Sequence, residues 1–246
     1  MINKSNLQNV INKYYLNGNV ESVKWDIKDK ALSIKFTSQT KEMIGEIKCS
    51  SFVLPDSSIG ISNTTQLLKL LNITNGDLNL DYIKNGKTFA KLIIADNQFT
   101  VNYTLADTLT IPKTGTYTGP EEYDLTTELT TDAIAALIKA KSALPESTTV
   151  LIKSVTSLEG NFELELTFGG DIEYANKVSY ILKNTTVNNV VSDLNLGFNS
   201  ELLKEILSVN KDATNAKMFL NIEGLMKLEF ESNNTVSTYY IVKKDV

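Results

Sequence analysis

The 246-residue chain contains neither histidine nor arginine, two residues on which many functional sites depend. All 24 basic residues are lysines, and 29 acidic residues give a formal net charge of −5. Without histidine, no unperturbed side chain titrates near neutral pH, so acid–base catalysis would rest on carboxylates, lysine, tyrosine, serine or cysteine. Without arginine, no guanidinium fork can read a guanine edge. If the chain binds nucleic acid, we therefore expect lysine–phosphate contacts with little sequence preference.

Cysteine and long hydrophobic runs are equally scarce. The single cysteine, Cys49, excludes an internal disulfide and a cysteine-based metal cluster, and its position in a strand-like run predicts a buried thiol. The N-terminus has no signal-like apolar segment, and no apolar run approaches the roughly 18 residues of a membrane helix. We expect a soluble, cytoplasmic protein with no membrane partner, no metal and no cofactor.

Four segments carry apolar residues at helical spacing. The first is Leu7, Val10, Ile11 and Tyr14, and Gly18 is expected to end it. The second and fourth, residues 63–71 and 199–207, both open with Asn and a hydroxyl residue and both contain Leu-Leu-Lys. The third begins near Thr130 or Thr131 and ends before Pro145.

Strand-like runs separate these helices. In the first half, alternation and β-branched residues predict strands at 20–27, 32–36, 43–54, 78–82, 89–94 and 99–103. In the second half, the corresponding strands are predicted at 128–129, 150–152, 162–168, 174–182, 218–222, 226–230 and 236–242, with 194–196 leading into the fourth helix. Each half thus follows the order helix, three strands, helix, three strands.

The two halves predict a duplicated domain. The Leu-Leu-Lys triplets at 67–69 and 202–204 are separated by about the same number of residues as the two opening helices. Between the halves, residues 107–124 contain two prolines and two glycines, which indicate a connector. We predict an α+β chain with an N-terminal domain at 1–106, a connector at 107–124 and a C-terminal domain at 125–246.

Lysines recur on or beside the four helices, whereas acidic pairs lie elsewhere, at Glu121-Glu122, Glu163/Glu165 and Asp171/Glu173. Taken singly, each lysine is best explained as a solvated charge, and an AT-rich genome would by itself enrich lysine and asparagine. As a set they predict a basic helix face in an acidic protein. The set is Lys4, Lys13, Lys69, Lys139, Lys141, Lys204 and Lys211.

This order of elements, written twice across a Pro/Gly connector, resembles the DNA sliding clamps. The resemblance rests on the opening helix, on residues 51–71, on the second half from Leu129, and on a last strand ending Tyr239-Tyr240-Ile241. The two-domain layout is similar to the trimeric, PCNA-like type, and most similar to the T4-type phage clamp. It implies a homotrimeric ring around double-stranded DNA, with helices lining the hole, that tethers DNA polymerase without catalysing a reaction.

The resemblance also implies positions for the partner contacts. The lysines above become the DNA-binding wall of the hole. Sheet edges at 99–105 and 174–182 become the subunit contacts. Hydrophobic tails of the polymerase and the clamp loader are expected in a pocket formed by Met43, Ile44, Leu109, Ile111, Tyr117, Tyr240 and Val242.

Two alternatives remain open at this level. Glu163 and Glu165 lie two residues apart on one strand, so their paired carboxylates could serve an enzyme, although a solvated sheet face explains them better. A β-rich interaction protein, such as a phage tail or baseplate subunit, would share the Asn/Thr-rich composition. The duplicated helices with lysines on their polar sides favour the clamp.

Overall fold

The computed structural model describes the chain except for Lys87, Thr116, Thr118, Val190 and the short segments 171–175, 192–193 and 245–246. The chain forms two compact units. The first comprises residues 1–116 with 234–237, and the second comprises residues 117–233 with 238–246. Among the described residues, no helix is long and apolar enough to cross a membrane.

The described residues of the first unit form two helices and eight strands, with a short 3-10 turn, Leu16–Gly18, after the first helix. In chain order they are β1 (Ile2–Asn3), α1 (Lys4–Tyr15), β2 (Val23–Lys28), β3 (Ala31–Thr37), β4 (Met43–Cys49), β5 (Ser57–Ile61), α2 (Thr64–Asn72), β6 (Asp77–Asn85), β7 (Thr88–Ala95) and β8 (Thr100–Thr104).

Two antiparallel arrangements of strands build the first unit. One sheet has the order β1-β6-β7-β8, and the other arrangement has the order β5-β2-β3-β4. In the second, Phe36 of β3 lies opposite Gly45 of β4, so the ring occupies space that a side chain on β4 would otherwise fill. Leu7, Ile11 and Tyr14 of α1 are fully buried.

The second unit also contains two helices. Its elements in chain order are β9 (Leu125–Glu128), α3 (Thr131–Ala143), β10 (Thr149–Thr156), β11 (Phe162–Phe168), β12 (Val178–Leu182), β13 (Thr185–Val187), β14 (Asn195–Asn199), α4 (Ser200–Val209), β15 (Asn215–Asn221), β16 (Leu225–Ser232) and β17 (Thr235–Val242), the last of which begins among residues grouped with the first unit. The strand orders are β12-β11-β10-β14 and β13-β9-β15-β16-β17.

All four helices begin at a side-chain cap. Asn63 Oδ1 accepts from the Gln66 N–H at 2.8 Å, and Asn199 Oδ1 accepts from the Glu201 and Leu202 N–H groups, both at 3.1 Å. Thr130 caps α3, and Asn3 caps α1 in the same way. Because these caps satisfy N–H groups that have no partner inside the helix, they fix where each helix starts.

The α+β class and the four helices agree with the sequence prediction, and the structure adds strands to the predicted order. The segments leading into α2 and α4 are themselves strands, β5 and β14, which pair with β2 and β10. The short strand β13 was not predicted. The run predicted at 43–54 ends as a strand at Cys49. The predicted strand at 174–182 is observed from Val178, and its first two residues lie outside the described part.

Candidate nucleic-acid interface and partner cavity

The helices of the first unit, α1 and α2, pack side by side through polar contacts. Gln8 Nε2 donates to Asn72 Oδ1 at 2.8 Å, and the hydroxyls of Tyr15 and Thr65 lie 2.7 Å apart. Lys4 Nζ donates to the backbone carbonyls of Asn72 and Thr74, at 3.1 and 2.5 Å. A lysine ammonium at the carbonyl end of α2 is favoured by the helix dipole as well as by the hydrogen bonds.

The exposed side of this helix pair carries no acidic residue, since neither α1 nor α2 contains Asp or Glu. Its exposed residues are mostly amides and one lysine, namely Ser5, Asn6, Asn9, Gln66, Lys69 and Asn72. The Glu21 carboxylate contacts the start of α2, where it accepts the Thr65 N–H at 3.0 Å. That contact lies at the amino end of α2, about one turn before Lys69.

The helices of the second unit, α3 and α4, are joined by an ion pair. Lys141 of α3 is buried, with 3% of its side chain exposed, and its Nζ lies 3.1 Å from Glu201 Oε2 of α4. The same ammonium donates to the carbonyls of Leu144 and Pro145, at 3.5 and 2.9 Å. Lys141 therefore stabilises the end of its own helix and holds α4 against it.

Glu201 also binds Lys204, the lysine of its own helix. Lys204 Nζ lies 3.2 Å from Glu201 Oε1 and 3.5 Å from Glu205 Oε1. Burial alone would raise the pKa of Glu201, but its hydrogen bonds from Lys141 and Lys204 lower it below the ordinary value. The hydrogen bond to Glu201 raises the pKa of Lys204, and burial raises that of Glu205.

The seven lysines predicted to bind DNA thus fall into different environments. Lys69, Lys139 and Lys211 are exposed, and Lys4 is half-buried at the end of α2. Lys13 and Lys141 are buried, at 5% and 3% exposure, because α1 and α3 turn these positions inward. Lys204 is half-buried and paired with two carboxylates. The sequence did not identify Glu201 as a partner, although its spacing from Lys204 is that of neighbours on a helix face.

The helices nevertheless carry a net positive charge and the rest of the chain a net negative charge. The four helices contain six of the 24 lysines and three of the 29 acidic residues, so they carry +3 while the remainder carries −8. All of the excess lies on α1 and α2, because α3 and α4 together contain three lysines and three acids. The excess positive charge of the helices therefore lies in the first unit, although Lys13 is buried and does not belong to an exposed face.

A cavity of about 560 Å³ lies in the first unit, between the turn after β3 and the connector. Its lining is mainly apolar and includes Val20, Ile44, Pro112 and Thr114, with lysines 41 and 113 at the rim. Of the predicted pocket residues in this unit, only Ile44 lines the cavity. Pro112, Thr114 and Val20 were not predicted, although a proline in the connector is a signal of rigid backbone that could have indicated them.

The other pocket residues predicted in the first unit lie elsewhere. Met43 is buried, with 1% exposure, because it alternates with Ile44 along β4. Ile111 is buried at 5%, and a Cβ placed on Gly60 would lie 3.1 Å from its Cγ1. Leu109 is 81% exposed. Met43 and Ile111 therefore support the walls of the unit and do not line the cavity.

In the second unit, Tyr117 and Tyr240 form an edge-on aromatic pair with ring centroids 4.8 Å apart. The connector closes onto this pair at Gly119, where an added Cβ would lie 3.0 Å from the Tyr240 ring and 2.7 Å from the Tyr123 hydroxyl. Val242, the last of the predicted pocket residues, is 48% exposed. The structure thus brings together two of the residues predicted for the partner pocket, and the sequence did not indicate the role of Gly119.

The two strands predicted to form the subunit contacts each lie at an edge of their sheet. β8 ends the order β1-β6-β7-β8, and β12 ends the order β12-β11-β10-β14. Ile181 of β12 is 44% exposed, and Phe99, just before β8, is 42% exposed. An exposed sheet edge with apolar side chains is a template for pairing with another chain.

The acidic pair considered for catalysis lies on the middle of a sheet. Glu163 and Glu165 of β11 are both half-buried and lie opposite Val155 and Lys153 of β10. Among the residues that the structure describes, no group of three or more Cys, Asp or Glu side chains could hold a metal ion.

Comparison with known proteins places this arrangement in a fold class. The chain is similar to the crystal structure of Proliferating Cellular Nuclear Antigen from Entamoeba histolytica, with a TM-score of 0.75 at 17% sequence identity. The similarity covers 99% of this chain and 96% of that one. No family model matches the chain, and no curated protein matches its sequence. The chain therefore has the DNA sliding clamp fold, which the sequence resemblance predicted.

Proposed function

We propose that this protein is a sliding clamp, which encircles duplex DNA and holds the replicative DNA polymerase on its template. The observation that carries the proposal is the similarity to Proliferating Cellular Nuclear Antigen over 99% of the chain. A similarity of this extent includes both units and the connector, whereas a single shared unit would leave the function open. The proposed activity is non-catalytic and independent of DNA sequence.

The division of charge supports a DNA-binding role for the helices. Binding by encirclement needs only weak, salt-dependent contacts between lysines and phosphates, which an arginine-free chain can provide. Of the seven lysines proposed to line the hole, the exposed Lys69, Lys139 and Lys211 and the half-buried Lys4 are the ones whose positions suit this role. The negative charge on the rest of the chain would repel DNA from other surfaces.

A ring requires subunits, and we propose a homotrimer joined through the edges of β8 and β12. These are different surfaces of one chain, so the contact is head to tail and must close into a ring or grow into a filament. Closure by three two-domain subunits is the arrangement that the resemblance to the trimeric clamps implies. The finer resemblance to the T4-type phage clamp, and with it a location in the host cytoplasm, stays a prediction.

Polymerase and clamp loader are proposed to bind through hydrophobic tail peptides. The cavity lined by Ile44 and Pro112 is concave and mainly apolar, as such a tail requires. The Tyr117–Tyr240 pair offers a separate aromatic anchor. Met43 and Ile111, which are buried, would shape these surfaces without touching the peptide.

The proposal is tested by retention on circular DNA together with polymerase stimulation. With a clamp loader and ATP, we expect the protein to remain on nicked circular duplex DNA, to leave when the circle is cut, and to increase the length synthesised per polymerase binding event. Ile44→Lys, which places a charge in the cavity proposed to receive both tails, should weaken loader-dependent retention as well as polymerase stimulation. Equal retention on circular and linear DNA would refute encirclement.

A further inference from the structure

The two helix pairs differ in electrostatic character even though the fold repeats. The exposed side of α1 and α2 has a lysine among neutral amides and no carboxylate on either helix. The exposed side of α3 and α4 has Lys139 but also Asp132 and Glu201. A repeated fold therefore presents one cationic and one balanced helix face.

Ion pairs on α3 and α4 increase the electrostatic difference between the two helix pairs. Within the residues that the structure describes, Lys69 and Lys139 make no ion pair, whereas Lys141 and Lys204 both bind Glu201. A paired ammonium must give up its carboxylate before it can bind a phosphate, so its contribution to DNA binding is largely cancelled. Glu201 thus pairs with two of the three lysines on α3 and α4, and Glu205 also pairs with Lys204.

The first helix pair has the further donors that a phosphate-binding face needs. Side-chain amides of asparagine and glutamine donate hydrogen bonds to phosphate oxygens alongside lysine. Asn6 and Asn9 of α1 are exposed, as is Gln66 of α2, which lies three residues before Lys69 on the same helix. Lys4 contributes less because its Nζ is bound to the carbonyls of Asn72 and Thr74. The cation available to a ligand on this face is Lys69.

We propose that the duplex is held chiefly by the exposed face of α1 and α2, through Lys69 and the exposed amides of these helices, while the charge of the lysines on α3 and α4 is balanced by the carboxylates of the same helices, with Glu201 as the carboxylate that pairs with two of them. The proposal rests on the sliding-clamp function and assigns the DNA contact within it to one helix pair. It predicts that lysines on the two faces are not equivalent and that removing one carboxylate makes the second face bind DNA.

The test compares single substitutions by the salt dependence of binding to a short, open-ended duplex, measured by fluorescence anisotropy. Each phosphate contact contributes about 0.9 to the slope of log affinity against log salt. We expect Lys69→Gln to lower the slope by about 1 and Lys204→Gln to leave it nearly unchanged. Glu201→Gln should raise the slope, because it leaves Lys204 with one carboxylate fewer.

Two controls distinguish the local loss of the Glu201 charge from a change in net charge and from unfolding. Glu223→Gln, in the exposed turn after β15, makes the same change in net charge away from the helices and should leave the slope unchanged. Thermal unfolding of the Glu201→Gln protein checks that α3 and α4 stay together, which the carbonyl bonds of Lys141 favour. If the folded protein shows no rise in slope, the proposed charge balance on α3 and α4 is refuted.

The outcomes also distinguish this inference from the function on which it rests. If the wild-type protein is retained on circular DNA but Lys69→Gln and Lys204→Gln lower the slope equally, the clamp function stands and the assignment to one helix pair is wrong. If the wild-type protein is not retained on circular DNA at all, the sliding-clamp function itself is refuted.

Discussion

At the scale of single residues, Asn63 and Asn199 cap corresponding helices in the two halves of the chain. Asn63 accepts one backbone N–H and Asn199 accepts two, and each fixes the first turn of a helix that contains Leu-Leu-Lys. The sequence was sufficient to place these helices because cap chemistry is local and depends on side chains a few residues apart. The duplication could be inferred from the same local signals.

Lysine burial could not be predicted in this way. Lys13 is one residue away from Tyr14 of the apolar stripe of α1. Whether its side chain is buried depends on what packs against the helix. Lys141 is buried because its stem lies along the end of α3 while its ammonium reaches the carbonyls of residues 144 and 145. Such contacts depend on the loop after the helix and on the neighbouring helix, which a periodic pattern does not describe.

Gly45 illustrates how one missing side chain determines local packing. A Cβ at this position would lie 2.3 Å from the Phe36 ring, a distance that requires the ring or the strand to move. We expect Gly45→Ala to lower the free energy of unfolding by about 1–3 kcal/mol through overpacking, measured by urea denaturation. Gly115→Ala is the matched control, because an added Cβ there has no neighbour within 4 Å. A similar loss in both proteins would contradict the packing explanation.

At the scale of elements, the strands that lead into α2 and α4 were the main omission. The segments Ser57–Ile61 and Asn195–Asn199 are short, contain glycine and lack clean alternation. They form strands because β2 and β10 offer open edges beside them, and such pairing is a long-range property. By contrast, clean alternation made β11 and β6 predictable from sequence alone.

Asp96 organises the turn between β7 and β8, and its ionisation should influence the stability of that turn. Its Oδ1 accepts the N–H groups of Phe99 and Gln98, at 2.6 and 2.7 Å, and its Oδ2 accepts that of Asn75 at 2.7 Å. These bonds, the one from Phe99 above all, lower the pKa of Asp96 below the ordinary value.

A lowered carboxyl pKa stabilises the folded state above the pKa of the unfolded chain, about 4, and the stabilisation is lost as the pH falls through the lower folded value. We expect carbon NMR of the Asp96 carboxyl to show a midpoint below the ordinary value. Asp96→Ala should reduce the change of unfolding free energy between about pH 2 and 4. A midpoint at or above the ordinary value would show that the turn does not depend on the ionised form.

At the scale of the whole molecule, the sequence predicted the fold class through the order of its elements. That order survives at 17% identity to a solved structure, because it depends on turns, caps and burial patterns and only weakly on particular residues. Of the residues predicted for the partner pocket, Ile44 lines the cavity of the first unit and Tyr117 contacts Tyr240. Val20 and Thr114 were not predicted because they line the cavity only where the connector folds back on its own unit, which no local pattern describes.

The proposed trimer makes a prediction that one substitution can test. Ile181 is exposed on the edge strand β12, so Ile181→Glu should place a charge in the subunit contact and shift the sedimentation of the protein from trimer to monomer. Ile222→Glu is the matched control, since Ile222 is similarly exposed, at 48%, but lies in a turn. Unchanged association in the Ile181→Glu protein would exclude β12 from the interface.

In the proposed clamp, the exposed Lys69 would have a further consequence for movement along DNA. A lysine ammonium is one hydrated charge on a flexible stem, whereas a guanidinium would bind two phosphate oxygens at once. The proposed contact at Lys69 would therefore pass from one phosphate to the next with a water molecule replacing it between contacts. The energy along the duplex would then vary only slightly, so the clamp would move with little friction while the charge kept the backbone near.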